Sequence, residues 1–286
     1  MAFAGCLGPD DTYVLSTPYS YAARGVSQTV AKLVKSEAVL HEVALGPGGA
    51  YAVLHTSENR QRLSYNNLPE KLKNWLMQDG IVVRDIPSLA ITLGTDGAYF
   101  AYDNTQVERD SLPSGLERFI TDTCLDQNNT WRPEWSPRSV SLGPNGAWVF
   151  ITQAGTVTWD LRGQNDRLHN ILAAPPDPNT KYLITLSPTR PGHFIVIDIG
   201  LGHCITDAAF EATPAFRKFS AGFRRSYERD RQEILGRRHS GNGKAFVKEL
   251  CKVSFDILGS VLNIFGVNCT GCLSALWAPT TPTTYS

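Results

Sequence analysis

The feature that most constrains this chain is a phrase it repeats five times. Each copy has a leucine, then glycine or serine, a turn of small residues and an aromatic. The leucines are Leu7, Leu45, Leu93, Leu142 and Leu186. In the first four copies the aromatic follows six residues later, at Tyr13, Tyr51, Tyr99 and Trp148, and in the fifth a two-residue insertion moves it to Phe194. Successive leucines stand 38, 48, 49 and 44 residues apart, the spacing of an architecture in which one supersecondary unit recurs.

Each phrase reads as a β-hairpin, because an apolar or β-branched run enters a Gly/Pro/Asn/Asp turn and an aromatic-rich run leaves it. The cleanest copy runs from Val140 through Gly143-Pro144-Asn145-Gly146 to Ile151. Its proline presets a tight bend and its glycine supplies a positive φ. A third run, Thr156 to Trp159 in this copy, is expected to pair with the second. The period then changes. Leu68, Leu72, Trp75 and Leu76 form the stripe of a two-turn helix, with Pro69 suited to its first turn. The pattern returns at Val26, Val30, Leu33 and Val34 and at Leu112, Leu116, Phe119 and Ile120. Copy four keeps Leu168, Ile171 and Leu172, and copy five keeps Phe216 and Phe219.

Three strands and a short helix cannot bury both faces of so small a unit, so neighbouring copies must stack. The expected fold is therefore mainly β: a five-bladed β-propeller-like ring of three-stranded repeats, each followed by a short helix, over residues 1–222. A helical extension over 223–275 is expected to pack on it, with a disordered tail over 276–286. An open α/β solenoid is the alternative, but it needs polar capping units, which neither terminal copy resembles. Over roughly residues 3–220 the repeat length and copy number resemble the tachylectin-2 and tectonin type of five- or six-bladed lectin. That family's sugar-binding motif is absent here, so the resemblance implies an architecture and no binding residue. The phrase is also similar to LGPxGxY-type repeats of fungal and protist proteins.

Outside the repeats, Phe246, Leu250, Val253, Ile257, Val261 and Ile264 follow helical spacing, so Lys244 to about Phe265 is a candidate amphipathic helix. It would pack on the ring, or serve as a dimer or protein-partner interface or a membrane-surface helix. The formal net charge is zero, but residues 217–252 hold eleven Lys/Arg against four Asp/Glu. Acidic residues interleave that run at Glu228, Asp230 and Glu233, which favours local ion pairs over nucleic-acid binding. No signal peptide and no stretch long enough to span a bilayer is read, since Val253 to Val267 is 15 residues long and interrupted by Asp256 and Asn263. The expectation is a cytoplasmic protein with free thiols, or a secreted one if a leader has been trimmed. Cys269-Thr-Gly-Cys272 is the only CxxC, and without a second ligand pair it predicts no metal site, leaving a redox or disulfide role or plain thiols.

Candidate chemistry gathers in three places. Alternate residues of each first strand should face the ring's axis. Counting back one from each leucine gives Cys6, Ala44, Thr92, Ser141 and Thr185; counting back three gives Ala4, Glu42, Ala90, Ser139 and Leu183. These are small or hydroxyl-bearing, and either crowd the axis as packing or line a narrow polar channel. Glu42 is the one acid among them and, beside His41, could transfer protons. In copy five, His193, Asp198, His203, Cys204 and Asp207 form a second constellation, in which a hairpin around Gly200-Leu201-Gly202 should bring Asp198 to His203, a carboxylate–imidazole pair suited to acid–base work or merely to stability. Trp131 and Trp135, near Asn128 and Asn129, suit stacking on a sugar or flat ligand, or staple their loop to a neighbouring blade. No Walker loop, GxGxxG, HExxH or GxSxG occurs, and no cofactor is expected. The function expected is a ligand-binding propeller for a carbohydrate, small molecule or peptide. An enzyme with a single pocket that cyclises or isomerises a small natural product is the first alternative, and a protein-interaction scaffold the second.

Overall fold

Five three-stranded antiparallel sheets follow one another along the computed structural model, which describes residues 4–17, 20–36, 38–104, 106–128, 130–174 and 182–239. Unit 1 holds β1 (Ala4–Leu7), β2 (Tyr13–Thr17), β3 (Ser20–Arg24) and helix α1 (Gln28–Lys35). Unit 2 holds β4 (Val39–Leu45), β5 (Tyr51–Ser57), β6 (Arg60–Asn66) and α2 (Glu70–Leu76), followed by a small hairpin of β7 (Met77–Gln78) and β8 (Ile81–Val82). Unit 3 holds β9 (Ala90–Leu93), β10 (Tyr99–Tyr102), β11 (Val107–Asp110) and α3 (Ser114–Phe119). Unit 4 holds β12 (Pro137–Leu142), β13 (Trp148–Thr152), β14 (Val157–Asp160) and α4 (Asp166–Ala173). Unit 5 holds β15 (Tyr182–Leu186), β16 (Phe194–Asp198), β17 (His203–Thr206), α5 (Ala208–Glu211) and α6 (Pro214–His239).

The repeated phrase is the first turn of every unit. Its leucine pairs across the hairpin with its aromatic in all five copies. The amide after the leucine closes the loop in each, from Gly8 N to Thr12 O at 2.8 Å through Ser187 N to His193 O at 2.9 Å. In units 1 to 4 the bend needs two successive residues with positive φ: Asp10-Asp11, Gly48-Gly49, Asp96-Gly97 and Asn145-Gly146. Glycine, asparagine and aspartate tolerate that conformation better than other residues, which explains the turn's composition. The helices start where the sequence punctuates. The Ser27 side chain accepts from Val30 N at 3.3 Å and Asn165 from Leu168 N at 2.9 Å, while Pro69 and Pro113 precede α2 and α3.

The core lies between units rather than within them. Val14, Val30 and Val34 of unit 1 pack with Val43 and Val53 of unit 2. Leu54 and Leu72 then meet Ile91 and Tyr99, Phe100 and Leu116 meet Val140 and Phe150, and Val149 and Leu168 meet Ile184 and Phe194. The fifth cluster joins Ile195, Ile197 and Phe219 of unit 5 to Leu7 and Leu15 of unit 1. The first strands follow the same order: β1 neighbours β4, β4 neighbours β9, β9 neighbours β12, β12 neighbours β15, and β15 neighbours β1.

The phrase's glycine explains how closely these strands approach. A methyl group built on Gly8 would stand 2.7 Å from Leu45 Cβ, and on Gly46, Gly94 and Gly143 it would stand 3.0 to 3.1 Å from the leucine side chain of the following unit. In unit 5 the position is Ser187, whose hydroxyl donates to Gly8 O at 3.3 Å.

The long helix α6 runs without interruption through the boundary expected after residue 222. Phe216, Phe219 and Phe223, on either side of that boundary, share one core cluster. Among the described residues no helix is long and apolar enough to cross a membrane. The candidate helix over 244–265, the CxxC and the tail over 276–286 lie outside the described residues, as do the partner roles read for them.

Candidate functional site

The ten first-strand residues singled out from the repeat all line one cavity of about 80 Å³ between β1, β4, β9, β12 and β15. Three of the five nearest the turn join neighbouring first strands. Thr185 Oγ1 accepts from Leu7 N at 3.3 Å and Ser141 Oγ accepts from Leu186 N at 2.8 Å, while Thr92 Oγ1 donates to Val140 O at 2.6 Å. The Cys6 thiol donates to Leu7 O of its own strand at 3.3 Å, and burial pushes it up to about 12, so it stays a thiol at neutral pH. Each of the three hydroxyls is therefore occupied in tying its unit to the next.

Ala44, in unit 2, has no polar atom to offer. By equivalence with the other units, Ala44→Ser would place a hydroxyl where Leu93 N can donate to it. This substitution is expected to raise stability by about 1 kcal/mol, measurable as a shift in the urea midpoint. A loss of stability would show that the unit 2–unit 3 junction has no room for the added atom.

Two structural features supply cavity groups that strand alternation does not predict. The β4–β5 ladder shifts register between Leu40 and Glu42, and the β12–β13 ladder between Pro137 and Ser139. A bulge turns its extra residue toward the face of the next one, so His41 accompanies Glu42, and Arg138 accompanies Ser139, at the cavity wall. Tyr102, at the end of β10, pairs with Ala90, whose small side chain leaves space for the phenol to reach the cavity.

The resulting electrostatics are uneven around the cavity. Burial pushes the Glu42 carboxyl up to about 8, so it is mostly protonated at neutral pH. Burial also raises the Tyr102 hydroxyl, as does the Glu42 carboxyl, while Arg138 opposes the shift. Burial lowers both the Arg138 guanidinium and the His41 imidazole. His41 Nε2 is engaged with Thr56 Oγ1 at 2.7 Å, and Arg138 Nη2 donates to Tyr182 O of unit 5 at 2.6 Å.

The other candidates are differently placed. Asp198 and His203 face each other as the closing pair of the β16–β17 hairpin. Asp198 is buried and accepts from Leu201 N at 3.0 Å, while His203 is exposed. The imidazole–carboxylate hydrogen bond of unit 5 is instead His193 Nδ1 with Asp207 Oδ2. Burial alone would raise the Asp207 carboxyl, but the Phe210 amide, His193 and the Ala209 amide outweigh it and hold the group below its usual range. Asp207 thereby caps α5 and fixes it to the hairpin turn, which is a structural task.

Trp131 and Trp135 are half-buried and packed. Trp131 lies 6.2 Å from both Phe100 and Phe150, and Trp135 meets Phe119 edge-on at 5.6 Å. In the basic run, Arg224 pairs with Glu228 at 3.1 Å and Arg225 donates to Ala221 O, both along α6. Among the described residues no cluster of three or more metal-ligating side chains occurs. A larger hollow of about 180 Å³ opens between β3 and α1, but its charged lining residues, Arg24 and Lys35, are exposed.

No family model matches the chain, and no curated protein matches it. Among solved structures it is similar to the virginiamycin B lyase of Staphylococcus aureus, at 13% identity over 71% of this chain and 67% of that one, with a TM-score of 0.26. It is also similar to a catalytically inactive form of that lyase with quinupristin, at 11% identity over 71% and 65% of the two chains, with a TM-score of 0.27. Likeness at this level assigns the chain neither a family nor an activity.

Proposed function

We propose that the five units form a five-bladed β-propeller whose central cavity binds one small polar molecule per chain without covalent chemistry. The propeller reading is supported by the cyclic order of neighbouring first strands and by a core cluster at each of the five junctions, including the one between units 5 and 1. The binding reading rests on one observation. Glu42, Tyr102 and Arg138, from three consecutive units, converge on a single cavity whose other polar side chains are mostly committed to joining strands. Such convergence of a few polar groups in a concave site is the usual mark of a ligand site. The five units are unequal here, which favours one site over a set of equivalent clefts.

Calorimetry and thermal shift against a panel of small polar molecules test this reading, with Ala90→Leu as a variant that fills the cavity. The expected result is one site per chain, lost on filling. Several equivalent sites, or binding indifferent to Ala90→Leu, would place the ligand in the clefts and refute the central site.

A second reading, an enzyme with a single pocket, is favoured by the Glu42 carboxyl alone. A group titrating near pH 8 can exchange a proton with a bound molecule at neutral pH. Glu42→Gln separates the two readings, since it stops turnover in an enzyme while leaving ligand in place.

A further inference from the structure

We propose that the cavity is a site for a small singly charged oxyanion, a short carboxylate such as formate or acetate, held by the Arg138 guanidinium and the Tyr102 hydroxyl with the Glu42 carboxyl beside it. This inference rests on reading the cavity as the ligand site.

Three observations carry it. The first is charge. Arg138 faces the cavity from the β12 bulge, and no carboxylate pairs with it among the described residues. Its one hydrogen bond among the described residues runs to a neutral carbonyl, Tyr182 O. A cation withdrawn from bulk water without a counter-ion is costly, and an anion in the cavity relieves that cost.

The second is donor geometry. Tyr102 O–H and the Glu42 carboxyl line the same space and make no hydrogen bond with the protein among the described residues. A guanidinium offers several N–H donors in one plane, a geometry that matches the two oxygens of a carboxylate. Tyr102 lies within electrostatic reach of both Arg138 and Glu42, and all three line the one cavity.

The third is size. A water molecule needs about 10–15 Å³ of such cavity space, so a cavity of about 80 Å³ holds roughly five to eight heavy atoms. Formate and acetate fit, and a hexose or a peptide exceeds that space.

The remaining titratable groups at the wall do not compete for the anion. Cys6 is a thiol, and His41 is held by Thr56 with its imidazole disfavoured as a cation. Protonation of Glu42 therefore decides the pH dependence. Below about pH 8 the carboxyl is neutral and can donate to the anion; above it, a carboxylate repels the ligand. Binding is accordingly favoured at low and neutral pH and lost as pH rises through that value.

The test is the dissociation constant of 13C-formate for the full-length protein, followed by NMR from pH 6 to 10, with formamide as a neutral molecule of the same shape and octanoate as a size control. Formate is expected to bind below pH 8 and to weaken about tenfold per pH unit above it, with formamide and octanoate much weaker. Arg138→Leu should weaken formate at least tenfold. Tyr102→Phe, which keeps the ring and serves if Arg138→Leu fails to fold, should weaken it about fivefold. Glu42→Gln should bind formate with no fall above pH 8.

Equal binding of formamide and formate would overturn the anion proposal and leave the cavity as a ligand site. Binding of neither would overturn the anion proposal and leave the central site to the panel and Ala90→Leu. Formate binding untouched by Arg138→Leu or Tyr102→Phe would put the anion elsewhere, and a fall above pH 8 retained in Glu42→Gln would remove Glu42 from the site.

Discussion

Replacing Gly8 with alanine is expected to destabilise the fold by about 3 kcal/mol, because its methyl group would have to occupy space already filled by two other residues. The added carbon would stand 2.2 Å from Thr12 Oγ1 and 2.7 Å from Leu45 Cβ. Thr12 can turn its hydroxyl away, but Leu45 Cβ is fixed to the backbone of β4. The strands β1 and β4 must therefore move apart, which loosens the valine cluster behind them. Gly49→Ala makes the matching control. Gly49 has φ 75° and nothing within 4 Å of an added methyl, so only its backbone conformation is strained and about 1 kcal/mol is lost. Urea midpoints of the two variants measure the difference. If Gly49→Ala were the costlier change, the turn rather than the contact between units would be what demands glycine in the phrase.

That contrast shows what could be read in advance. The phrase exposed the hairpin because the pairing of leucine with aromatic and the Gly/Asn/Asp turn are local in sequence, and the helix stripes at Leu72 and Leu116 stood out for the same reason. The cavity positions followed from alternation counted back from a fixed leucine. Arg138 and Tyr102 did not, because alternation fails at a bulge and Tyr102 depends on the small side chain of Ala90 opposite it. A signal for Arg138 was nonetheless present. It stands four residues before its leucine, as His41 does in unit 2, and a charged residue at that point of an inner strand needs somewhere to go. His193 and Asp207 were read in one constellation, but their pairing was hidden because it joins a turn to a helix cap across two strands, whereas Asp198 and His203 are partners by simple register. The tryptophans were ambiguous in sequence, since an aromatic that packs on a neighbouring unit and one that stacks on a ligand have the same composition around them.

The largest single-residue effect is expected at the junction between units 5 and 1. The other four junctions are each backed by a helix of six to eight residues, whereas this one is backed by α5 and the 26-residue α6. Phe219 is fully buried there, in the cluster that includes Leu7, Leu15, Ile195 and Ile197. The helix is held against both units. At Gly222 an added methyl would stand 2.1 Å from Ser20 Oγ of β3, and Tyr227 Oη donates to Gly200 O at 2.7 Å beside β16. Phe219→Ala is therefore expected to lose about 4 kcal/mol, combining lost burial with the cavity left behind. Lys218→Ala, on the exposed side of the same turn, should change stability by under about 0.5 kcal/mol. Hydrogen exchange adds a readout that distinguishes a joining element from an appended one. If α6 couples the two ends of the repeat array, Phe219→Ala will speed exchange in β1 and in β15–β17 together, because each loses the surface that holds it to the other. If only α6 itself opens while β1 keeps its protection, the first and last units hold each other through Thr185, Ser187 and their own strands, and the helix merely covers the seam.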